Sequence, residues 1–93
     1  MNEKIRFQSN VATDLNNLLT PYEAISITTS NKVRDSIKKT LDLIALFPQM
    51  YAIAFDDIRV VKIDDYPILV QYRIVDRIPV IASIVFAGSP FPS

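Results

Sequence analysis

Apolar positions recur every three or four residues in the first half of the chain and alternate with polar ones in the second. Val11, Leu15, Leu18 and Tyr22 share one helical face. Ser9 or Asn10 can cap that helix, and Asp14 sits in its first turn, where negative charge suits the dipole. Pro21 removes a backbone donor and predicts a kink or an early end. The polar stretch Ser26–Asn31 reads as a break, after which Ser30 or Asn31 starts a second helix. Val33, Ile37, Leu41 and Ile44 form its stripe, and Phe47 continues it. Asp35 precedes Lys38 and Lys39 at pairing distance on the helix surface. Pro48 ends the helix after Phe47, because the residue before a proline leaves the α region. Two helices so closely joined predict an antiparallel hairpin.

The remaining segments read as strands: Glu3–Gln8, Ile58–Ile63, Pro67–Val75 and Ile78–Phe86. Asp64–Tyr66 and Asp76–Arg77 make the turns between the last three. The order β-α-α-β-β-β predicts a single α+β domain over residues 1–93, with a helical hairpin on one face of a small, mostly antiparallel sheet.

Alternation assigns the two sheet faces. Ile68, Val70, Tyr72 and Ile74, with Ile78, Val80, Ala82, Ile84 and Phe86, are expected to meet the helices. The reverse face then carries Leu69, Gln71, Arg73, Val75, Pro79, Ile81, Ser83 and Val85, about half of them apolar. Leaving Leu69, Ile81 and Val85 wet forfeits about 1.5–3 kcal/mol each. Apolar surface of this kind marks a partner site, which a second copy of the chain could also fill. The alternative is that the tail with Pro90 and Phe91 folds back over it.

Composition removes most chemistry. The chain has no cysteine and no histidine, so disulfides, thiolate catalysis, zinc-finger-type sites and Ser-His-Asp triads are excluded. Gly88 is the only glycine, which excludes a glycine-rich phosphate cradle. The paired acids Asp56-Asp57 and Asp64-Asp65 read as turn formers, and neither a metal nor a cofactor is expected. Ten basic and ten acidic residues cancel, and neither half of the chain is basic, so direct nucleic-acid binding is not expected. No segment is apolar enough to span a membrane, and "MNEKIRFQ" lacks the apolar stretch of a signal peptide, so a cytoplasmic location is expected.

Several residues at the joints between elements form a recognisable series. They are Ala12, Asp14 and Leu15 followed by Tyr22-Glu23; "FPQMY" (Phe47–Tyr51); Ile58-Arg59; Tyr66-Pro67; and Tyr72. In this order, along the whole chain, they resemble the RelE/ParE superfamily of toxins from type II toxin–antitoxin modules, most closely the ParE-like plasmid stabilization branch. In that branch the last strand runs into a His-Gly-x-Arg-Asp/Asn-Pro-like segment. Here "FAGSPFP" keeps Gly88 and Pro92, while Ala87, Pro90 and Phe91 stand where the polar residues would be.

The resemblance implies a toxin neutralised by a cognate antitoxin. It also implies two modes of action: inhibition of a target such as DNA gyrase, or ribosome-dependent mRNA cleavage by clustered Arg, Lys and a C-terminal Tyr or His. The second needs groups that activate a ribose hydroxyl and hold phosphorane charge. Pro67 stands where an arginine often opens the third strand of the RNases, and the tail offers no Arg, Tyr or His. Arg59, Lys62 and Arg73 are the remaining RNase candidates, and Arg59 and Lys62 point to opposite faces. No catalytic residue is therefore assigned. Arg59, Leu69, Arg73, Ile81, Val85 and Phe91 are the expected partner-binding residues, with Arg59 placed to pair with an antitoxin carboxylate and Arg73 as the polar anchor. A third possibility is a non-toxic relative acting as a binding module or homodimer.

Overall fold

The computed structural model describes residues 4–88. The chain order is β1 (Arg6–Phe7), α1 (Val11–Ile25), α2 (Ile27–Leu46), β2 (Ile53–Phe55), β3 (Ile58–Lys62), β4 (Ile68–Val75) and β5 (Ile78–Phe86). The strands form one five-stranded sheet in the order β1-β5-β4-β3-β2. β1 is parallel to β5, and every other pairing is antiparallel. The expected α+β architecture is present, with β2 as a strand that the hydrophobic pattern does not announce. At three residues, β2 is too short for alternation to register.

α1 runs through Pro21 without ending there. Pro21 and Asn17, whose carbonyl loses its helical donor, are both exposed, so water can take the place of the missing bond. The second helix starts earlier than the expected Ser30 or Asn31. Ser26 is the whole connection: its backbone N–H donates to Tyr22 O at 3.1 Å, and its Oγ accepts from the Thr29 N–H at 3.0 Å. One extended residue thus closes α1 and caps α2. Ser30 is instead fully buried, with its hydroxyl donating to the Ile27 carbonyl at 3.0 Å. Lys38 pairs with Asp42 at 3.3 Å in place of the expected pairing with Asp35. α2 stops before Pro48 as expected, but Phe47 caps it and is 55% exposed, outside the stripe it was expected to continue.

The helices pack on each other and on one side of the sheet. Val11, Leu18, Leu19, Val33, Ile37 and Ile44 meet Val61, Ile63, Ile68, Val70, Tyr72, Ile81 and Ile84 in one core. Ile81 and Pro79 are fully buried, which corrects their expected position on the open face. The reason is a β-bulge. Gln71 pairs with Ser83 but Tyr72 pairs with Ile81, so Ala82 is an extra residue in β5. Every position N-terminal to it changes side: Ile81 and Pro79 turn to the core, while Val80 and Ile78 turn to the open face opposite Arg73 and Val75. Asn10 donates its side-chain amide to the bulge carbonyl of Ala82 at 2.9 Å.

The turns follow their residues. Asp76 (φ 52°) and Arg77 (φ 68°) are both left-handed, the geometry of a two-residue hairpin between Val75 and Ile78. Asp56 (φ 49°) and Asp65 (φ 69°) also take left-handed conformations, which aspartate tolerates, in keeping with their reading as turn formers. Gly88 ends the described chain at φ 89°, where a side chain would be strained although space is open around it. The described helices include none long and apolar enough to cross a membrane.

Candidate partner-binding face

Cross-strand pairing fixes what lies on the side of the sheet away from the hairpin core. β4 contributes Leu69, Gln71, Arg73 and Val75; β3 contributes Val60 and Lys62; β5 contributes Ile78, Val80, Ser83 and Val85. Leu69, Val80 and Val85 are half-buried and Val75 is exposed, so the face remains half apolar after the bulge exchanges its members. The face is concave. A cavity of about 430 Å³ is lined by Phe55, Ile58, Gln71, Arg73, Ser83 and Val85 among others, with Asp14 and Asp56 also in its wall. Phe55, Asp56 and Ile58 of the β2–β3 hairpin contribute to its lining, as do Gln8, Asn10 and Asp14 around the β1–α1 junction.

Arg73 stands on this face as expected, and its Nε lies 3.3 Å from the Asp57 carboxylate across the wall. Asp14 accepts from the Asn10 side-chain amide at 3.0 Å. At the floor, Ser83 donates its hydroxyl to Gln71 Oε1 at 2.8 Å, and both residues are buried. Gln71 Nε2 has no partner among the described residues. No sequence motif marks this pair; its position depends on the register that sets Gln71 opposite Ser83.

Arg59 lies elsewhere. It pairs with Tyr72 on the helix side of the sheet, and its Nη1 donates to the Tyr51 carbonyl at 2.6 Å. Tyr72 Oη donates to the Pro48 carbonyl at 2.6 Å. The two side chains hold the segment between α2 and β2. Burial raises the Tyr72 pKa, the Arg59 charge opposes that shift, and Tyr51 adds to it. Lys62 is exposed on the open face, and its ammonium donates to the Ile63 carbonyl at 3.1 Å. It pairs with Leu69, four residues along β4 from Arg73, a separation of about 13 Å at strand rise. The three cations therefore do not converge on one point.

A second, apolar concavity of about 480 Å³ lies beside the hairpin, lined by Phe7, Val11, Leu15, Leu41 and Ile84 among others. Phe7 is 51% exposed there. Of the expected partner-binding residues, Leu69, Arg73 and Val85 share the open face, whereas Ile81 is in the core and Arg59 is on the opposite side. Phe91 and the tail motif beyond Gly88 lie outside the described residues.

No family model matches the sequence, and no curated protein is similar to it. Its fold is that of a solved structure, the chromosomal ParDE TA system from P. aeruginosa. A chain of that structure superposes with a TM-score of 0.80, over 90% of this chain and 95% of that one, at 15% sequence identity. The fold is thus RelE/ParE-like, as the residues at the joints imply.

Proposed function

We propose that the chain is the toxin component of a type II toxin–antitoxin module, neutralised by an antitoxin that lies across the open face and the edge of the hairpin. The half-apolar concave face, on a fold shared with a ParDE chain, carries this reading. The toxin acts by binding its target, for which the ParE resemblance implies DNA gyrase. Separation of Arg59, Lys62 and Arg73 over two faces favours binding over RNA cleavage.

Inducing the gene in a bacterial host, with and without the neighbouring short reading frame, tests the proposal by viable count. The expected result is growth arrest that the neighbour relieves, without cleavage of translated mRNA. Uninterrupted growth contradicts the toxin reading. Cleavage that disappears in Arg73→Ala contradicts the binding mechanism and establishes a ribosome-dependent endoribonuclease.

A further inference from the structure

The two edges of the sheet differ in charge. β1, at one end, carries Arg6 and follows Lys4, and such charges keep a strand edge from pairing with another chain. β2, at the other end, lies in a run of thirteen residues without a charge, Leu43 to Phe55. Within that run, Leu43, Leu46, Phe47, Met50 and Ile53 are five of the nine exposed large apolar side chains among the described residues. Apolar surface gathered in this way marks an interaction site.

The run is also held in place. From the helix side of the sheet, Arg59 and Tyr72 donate to the Tyr51 and Pro48 carbonyls, and the Met50 N–H donates to the Phe47 carbonyl at 3.0 Å. Phe47, Pro48 and Met50 line an apolar concavity of about 360 Å³. Ile53 lies opposite Arg59 in the ladder and so shares that side.

Register decides what the β2 backbone offers. The Ile63 N–H donates to the Ile68 carbonyl at 2.9 Å, so at alternate positions back along β3, Val61 and Arg59 also exchange bonds with β4. Ile53, opposite Arg59, therefore turns its N–H and C=O away from β3 and off the edge of the sheet. No strand among the described residues takes them.

We propose that this edge pairs with the β2 edge of a second copy of the chain, antiparallel about a two-fold axis beside Ile53. In that register the two Ile53 backbones exchange both hydrogen bonds, and the small Ala52 meets Ala54 of the second copy. A two-fold interface sets a surface against itself, so a charged edge repels its copy and this uncharged one does not. Phe47, Met50 and Ile53, each more than half exposed, lose water beside the axis. Because Arg59 and Tyr72 already fix the segment, little ordering remains to oppose the pairing. The two sheets become one, and the open face assigned to the antitoxin stays uncovered.

Sedimentation velocity of the full chain over a range of concentrations tests the pairing. A monomer–dimer equilibrium is expected, with the Ile53 amide protected from hydrogen exchange in the dimer. Ile53→Lys should weaken the dimer at least tenfold and keep a native circular dichroism spectrum. Ile25→Lys, at an exposed apolar position on α1, should leave the dimer as tight as before. A monomer at every concentration, a dimer indifferent to Ile53→Lys, or equal weakening by Ile25→Lys overturns the proposal. So does an unprotected Ile53 amide in the dimer, a readout that needs no variant. The measurement requires neither toxicity nor an antitoxin, so its failure removes the pairing alone, whereas uninterrupted growth on induction removes the toxin reading alone.

Discussion

Arg59 and Tyr72 face each other across β3 and β4, and each donates one 2.6 Å hydrogen bond to the same connecting segment, at Tyr51 O and Pro48 O. The pair turns a family-like strand arginine into a fastening for the segment that leads into the edge strand β2. Tyr72 is fully buried, so Tyr72→Phe strands an acceptor at Pro48. The expected loss is about 1–2 kcal/mol in denaturant unfolding.

The same tyrosine predicts an alkaline dependence. Burial holds its folded pKa above the usual value near 10, against the opposing pull of Arg59. The folded chain therefore retains this proton more tightly than the unfolded chain. The group's contribution to stability is intact below about pH 10 and is lost as pH rises through the raised folded value. Unfolding midpoints measured from pH 9 upward should fall, and Tyr72→Phe should flatten that decline.

The bulge at Ala82 predicts unequal penalties at neighbouring apolar positions of β5. Ile81→Ala should cost about 2–5 kcal/mol, because Ile81 is fully buried. Val85→Ala, on the open face, should cost less than half as much. Equal losses in thermal or denaturant unfolding would mean that β5 does not change parity at the bulge.

Two backbone positions should yield gains. Arg77 holds a left-handed conformation at the second turn position, and Arg77→Gly should stabilise by about 1 kcal/mol. Pro21→Ala restores a donor within an exposed stretch of α1 and should stabilise by up to about 3 kcal/mol. Both are read from denaturant midpoints.

What the sequence made legible is what depends on near neighbours. The long strands β4 and β5, the stop at Pro48 and the tight Asp76–Arg77 turn all follow from alternation or from the backbone limits of one or two residues. The parity change in β5 does not, because the extra residue exists only relative to the register of β4. Ser26 was obscured by its surroundings: Ile27, Thr28 and Thr29 lower helix propensity, yet the cap and the burial of Ser30 and Val33 override them. At the site, Leu69, Arg73 and Val85 were legible as an open-face set. The Gln71–Ser83 pair was not, since neither residue type signals a site without the register that joins them.

The central claim is that the open side of the sheet receives the antitoxin, and calorimetric titration of the chain with the protein from the adjacent reading frame tests it most directly. Leu69→Asp combined with Arg73→Glu should leave the circular dichroism spectrum native and weaken the complex by at least 100-fold. A native-like double variant that binds as tightly as the parent chain would contradict the account.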